Sequence, residues 1–150
     1  MQRAIPLRLG PLRRRANRVE ESIMAGRGHR DIFRDEIDWK AASPGTRFAI
    51  FPIDEANPTA PAVVLTDFEP GEVVAPHAHD SNYFEYILAG EQTVGKTRFG
   101  AGDIRMVKRG TGYGPIRVGP EGCSVLIIFE DGSRTAPESR PRQRRSATAE

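Results

Sequence analysis

The sequence has 150 residues, the size of one ordinary domain, with 22 basic against 20 acidic side chains and 38% apolar residues. The basic excess belongs to the ends: residues 1–30 carry eight arginines against Glu20 and Glu21, residues 134–150 carry five against Glu138 and Glu150, and the 103 residues between are left near −7. A nucleic-acid or membrane surface needs a basic field on the folded body, so an acidic body excludes specific nucleic acid and membrane as principal partners.

In chain order, residues 1–30 are expected to form a flexible Arg-rich arm. Leu7, Leu9 and Leu12 among its arginines give a faintly transit-peptide-like composition, but no run is long and apolar enough for secretion or a membrane span. Met24 is an alternative start, and the expected setting is cytoplasmic. All eleven aromatic residues fall between Phe33 and Phe129, which marks residues 31–133 as the folded part. Residues 134–150 are expected to be a disordered basic tail.

Between the arms the pattern is that of short strands. Thr46 to Ile53 and Ala62 to Phe68 are rich in β-branched and aromatic residues, and Glu69-Pro70-Gly71-Glu72 reads as a turn. Asn82 to Ala89, Glu91 to Phe99, Ile104 to Val107, Tyr113 to Val118 and Cys123 to Glu130 follow, punctuated by glycines. No segment after Trp39 has a three-turn apolar periodicity, and eight prolines between residues 44 and 120 disfavour long helices. The expectation is an all-β fold closed into a jelly-roll-like barrel, since closure removes exposed strand edges.

His77-Ala78-His79 places two of the three histidines two apart on an extended segment, where side chains share a face. Tyr83, Glu85 and Ile87 share a parity of their own on the next strand. Two neutral imidazoles and the Glu85 carboxylate would leave open positions on a six-coordinate divalent ion, for which Fe(II) is preferred and Mn, Ni or Zn are compatible. The alternative role of the histidines is a neutral hydrogen-bonding pair in a binding cavity. Glu85 has rival roles as a pocket base or ion-pair partner.

Other features read as structural. Cys123, the single cysteine, lies in an apolar run and is a strand residue rather than a nucleophile. Gly110-Thr111-Gly112-Tyr113-Gly114-Pro115 lacks the lysine and following helix of a phosphate loop and is a turn. Arg98, Arg105, Lys108 and Arg109 are expected to be solvated charges, with one pocket cation as the alternative. Trp39 is expected to flank the barrel mouth.

Gly71-x5-His77-x-His79, continuing through Tyr83 to Tyr86-Ile87-Leu88-Ala89-Gly90-Glu91, resembles the first motif of the cupin superfamily, and Ala101-Gly102-Asp103-Ile104-x-Met106-Val107-x-x-Gly110-x-x-Tyr113 resembles the second. The chain departs from both. The place of the usual glutamate ligand falls on Tyr83, with Glu85 two residues on, about 6–7 Å further along the strand. Lys108 stands at the usual proline and Tyr113 at the usual histidine ligand. The resemblance implies a small barrel over residues 31–133, a metal held by His77, His79, Glu85 and Tyr113, and Glu85, Tyr83 and Tyr113 as catalytic groups acting on a small oxygenated organic substrate, as in a dioxygenase. It implies equally a non-enzymatic small-molecule-binding or sensor cupin. It also implies a homodimer, in which the segment from Phe33 to Phe51 adds a strand to a partner.

Overall fold

A computed structural model describes residues 28–139. The expected flexible arms fall largely on residues 1–27 and 140–150, outside the described residues. The chain divides into two units, Met1–Ile37 and Asp38–Glu150. The described part of the first carries one 3-10 turn, Arg34–Glu36, at whose start the Phe33 backbone N–H donates to the Glu36 carboxylate at 3.1 Å.

The second unit is β structure with one further 3-10 turn, Gly132–Arg134. Its strands are β1 (Lys40–Ser43), β2 (Thr46–Pro52), β3 (Ala62–Phe68), β4 (Val73–Val74), β5 (His77–His79), β6 (Tyr83–Val94), β7 (Thr97–Gly100), β8 (Ile104–Val107), β9 (Ile116–Phe129) and β10 (Pro137–Ser139). The main sheet runs β1-β2-β3-β9-β6-β7, with β4 paired to β9 and β8 to β6, while β5 and β10 form a separate antiparallel ribbon. Among the described residues no helix is long and apolar enough to cross a membrane.

All-β structure agrees with the sequence; the closed jelly-roll barrel does not, and is corrected. The sheet path ends on β1 and β7, which do not pair with each other, so the sheet is open. The segment between β3 and β6 cannot supply a continuous ladder. Pro70 and Pro76 lack amide hydrogens, and β4 and β5 are two and three residues long. The tail is corrected as well, because Pro137–Ser139 forms a strand opposite His77–His79.

The long strands β6 and β9 carry the core. Ile87, Val118, Cys123 and Val125 form one buried cluster, backed by Phe68 and Phe99. Val64, Tyr83 and Phe129 form a second, backed by Phe48, Val107 and Tyr113, and Ile127 packs on both. Burying a side chain such as Phe129, 1% exposed, contributes roughly 1.5–3 kcal/mol. Cys123 is buried here and its thiol is pushed up to about 11, chiefly by burial, as a strand cysteine requires.

The β6–β9 ladder shifts register between Ile87 and Ala89 and again between Gly90 and Gln92. Gly90 sits at that irregularity with φ of +73°, and a Cβ there would lie 2.0 Å from the Gly122 carbonyl oxygen. Glycine is therefore required both by backbone conformation and by the close approach of β9.

Candidate functional site

The open sheet and the β5–β10 ribbon enclose a cavity of about 580 Å³. Phe48, Val64, Ile116, Val125 and Phe129 supply much of its apolar wall, and His77, His79, Glu85, Gln92 and Tyr113 its polar side. Thr135, Ala136, Pro137 and Ser139 close it from the C-terminal segment. The turn before that segment is tied down by Asp80, which pairs with Arg109 and, at 3.7 Å, with Arg134.

His77 and His79 face the same cavity, as alternation along β5 predicts, with ring centroids 5.1 Å apart. Tyr113 is brought to them by an isolated antiparallel bridge: its N–H donates to the His77 carbonyl and the His77 N–H to its own, each at 3.1 Å. The side chains repeat the pairing. His77 Nδ1 lies 2.9 Å from the Ala75 carbonyl, which can only accept, so Nδ1 carries a proton and, in the neutral ring, Nε2 is the acceptor. The Tyr113 hydroxyl, 3.1 Å from Nε2, then donates to it.

His79 is 8% exposed, packed against Tyr83 at 5.2 Å and Phe129 at 5.0 Å between ring centroids. Burial, helped by the neighbouring His77, pushes its ring down to about 4, with the backbone of Thr135 and Ala136 pulling the other way. The ring is neutral near pH 7. Its Nδ1 has no hydrogen-bond partner among the described residues.

Glu85 is 3% exposed and faces inward with Tyr83 and Ile87. Its Oε1 accepts from Gln92 Nε2 at 2.7 Å and from Arg105 Nη1 at 3.2 Å. Burial raises its pKa, while Arg105 and Gln92 favour the ionised form. Burial likewise raises both Tyr113 and Tyr83. Tyr83 stands behind the wall, outside the residues that line the cavity, with its hydroxyl buried and Tyr113 as its polar neighbour.

Of two buried polar groups beside Glu85, sequence reasoning gave Arg105 only as one of four alternatives for a pocket cation and passed over Gln92. Arg105, expected to be a solvated charge, has a side chain only 10% exposed, with its guanidinium 4.5 Å from the Tyr113 ring centroid and 5.3 Å from that of Phe99. A charge alternating with Ile104 and Met106 was the available signal, but it points outward on an apolar count; in the structure Ile104 and Met106 are the exposed pair, at 53% and 81%. Gln92, 1% exposed, was not singled out at all. Trp39 packs under the Arg47 guanidinium at 4.3 Å and is not among the cavity-lining residues.

The metal-binding expectation is corrected. Among the described residues no group of three or more His, Cys, Asp or Glu side chains is placed to hold an ion. The donors proposed for it are engaged elsewhere: Glu85 with Arg105 and Gln92, and His77 Nε2 with Tyr113. Tyr113, whose proton burial holds more tightly, is a poor substitute for an anionic ligand. The donor set does not fit a mononuclear divalent site.

The fold and motifs define a small cupin. More narrowly, residues 29–131 match the model of the ChrR cupin-like domain, and the chain belongs to that family. Among solved structures it is similar to KdgF from Halomonas sp. (22% identity over 68% of this chain and 94% of that one, TM-score 0.56). It is also similar to a chain of the complex of Rhodobacter sphaeroides SigE with the anti-sigma ChrR (24% identity, TM-score 0.55), covering 65% of this chain and half of that one. The polyketide cyclase RemF from Streptomyces resistomycificus matches at 17% identity and TM-score 0.61, over 74% of this chain and 84% of that one. At these identities the likeness is one of fold. A search among curated proteins found no match.

Proposed function

We propose that this protein is a non-enzymatic small-molecule-binding cupin whose ligand occupies the cavity beside His77, His79 and Tyr113. One observation carries the reading: the carboxylate and the imidazole best placed for chemistry are already engaged, Glu85 with Arg105 and Gln92 and His77 with Tyr113, against an apolar wall. Such pairing holds a binding surface in one shape. It engages Glu85 and His77, the groups that proton transfer would use, with partners inside the protein. A volume of about 580 Å³ lies within the roughly 300–1,000 Å³ of small-ligand sites.

Elemental analysis of untagged protein purified without added metal, together with a thermal-shift screen of small organic molecules, tests the proposal. Substoichiometric metal and a ligand-dependent rise in melting temperature that disappears in His77→Ala/His79→Ala are expected. A stoichiometric ion lost in that double variant would overturn it.

The proposal includes self-association. β1 ends the sheet and is exposed along its length, so a second copy can add a strand there. Light scattering at several dilutions is expected to give a dimer, and a persistent monomer counts against it.

A further inference from the structure

Gln92 is a buried amide whose carbonyl oxygen makes no hydrogen bond among the described residues. Its Nε2 donates to Glu85 Oε1 at 2.7 Å, and because a carboxylate in an ion pair with Arg105 accepts rather than donates, this bond fixes the orientation of the amide. Gln92 Oε1 is left buried, facing no partner among the described residues, while the side chain lines the cavity and is 1% exposed. A buried carbonyl without a donor costs roughly 1–3 kcal/mol, a cost that a donor on a ligand would relieve.

The charges around it select against ions. No lysine or arginine is among the cavity-lining residues, whereas Glu72 and Glu85 are, so an anion entering there would lose its hydration without a counter-charge. A cation near Glu85 meets a carboxylate already neutralised from behind by Arg105 at 3.2 Å, and is repelled by that guanidinium, while the Glu72 carboxylate lies against Gly45 in the β1–β2 turn. Both bonds to Glu85 fall on Oε1, so Oε2 adds a second acceptor beside Gln92.

Resting on the binding role proposed above, we infer that the ligand is an uncharged, largely apolar organic molecule bearing a hydroxyl or amide N–H, which donates to Gln92 Oε1. Its apolar body lies against Phe48, Val64, Ile116, Val125 and Phe129.

Four probes of one shape separate the terms: 4-phenylbutan-1-ol, 4-phenylbutanoate, 4-phenylbutylammonium and butylbenzene, titrated calorimetrically into the full chain at pH 7. The alcohol is expected to bind at least about tenfold more tightly than either ion. Gln92→Met is expected to bring the alcohol down to the affinity of butylbenzene and to leave butylbenzene unchanged. Because that variant can fail to fold, the side-chain amide resonances of Gln92 are followed in the wild-type protein, where the alcohol and not butylbenzene is expected to shift them. Equal or tighter binding of an ion, an alcohol preference that survives in Gln92→Met, or unmoved Gln92 resonances would each overturn this inference and leave small-molecule binding intact. Failure of all four probes to bind would overturn both.

Discussion

Arg105 and Glu85 stand directly opposite each other on β8 and β6, and their side chains meet at 3.2 Å in the interior, 10% and 4% exposed. This pair, rather than a metal, occupies the carboxylate that the sequence offers to a cupin ion site. It also sets the electrostatic balance of the cavity, since the buried negative charge is answered by a buried positive one.

Replacing Arg105 by Met is therefore expected to destabilise the fold by about 3–5 kcal/mol, because it leaves a buried carboxylate without its partner. The double substitution Arg105→Met/Glu85→Met is expected to recover most of that loss. Urea unfolding of the two variants checks the prediction, and a double variant as unstable as the single one would show that the ion pair is not the cause.

Gly90→Ala is expected to cost about 3 kcal/mol, from the left-handed backbone and from a Cβ 2.0 Å from the Gly122 carbonyl oxygen. Gly95 also has positive φ but nothing within 4 Å of its would-be Cβ, so Gly95→Ala bears the conformational part alone, about 1–2 kcal/mol. Denaturation midpoints that rank Gly95→Ala as the more damaging would contradict the close approach of β6 and β9.

His79 supplies a pH dependence of known sign. Its folded pKa, about 4, lies below the ordinary 6.5, so between these values the unfolded chain binds more protons than the folded one. Its contribution to stability is complete above pH 6.5 and is lost as the pH falls towards 4. The full shift corresponds to at most ~3 kcal/mol, less to the extent that solvent reaches the ring. Glu85, raised by burial, acts in the opposite sense, losing stability as the pH rises above 4.5, so the test is a difference. Wild type compared with His79→Gln in urea at pH 4.5 and 7 should show the larger loss on acidification in wild type.

A chain ending at Arg134 lacks the Thr135–Ser139 wall and the β10 partner of β5. It is expected to keep its β-rich circular dichroism, because the core clusters lie on β3, β6 and β9, and to bind cavity ligands about tenfold more weakly with faster release. Undiminished residence time in the truncated protein would remove the segment from the site.

What the sequence determines alone is what depends on local alternation and turn chemistry. The all-β character, the shared face of His77 and His79, the inward parity of Tyr83, Glu85 and Ile87, the strand cysteine Cys123 and the two cupin motifs all follow from spacing within one segment, whereas the joining of Ile116–Phe129 into one strand and the pairing of Pro137–Ser139 do not. What depends on pairing between segments is decided by the tertiary structure. Counting by twos from Glu85 sends Gln92 outward, and the two register shifts around Gly90 turn it in to reach that same carboxylate. Arg105 reads as a surface charge until β8 is laid against β6 and finds Glu85 opposite. Closure into a barrel was expected from the short, evenly spaced strands, and a metal from the spacing of His77, His79 and Glu85. The open sheet, the β5–β10 ribbon and the partners already held by His77 and Glu85 replace them, because hydrogen-bond ladders and buried charges are satisfied by neighbours far apart in the chain.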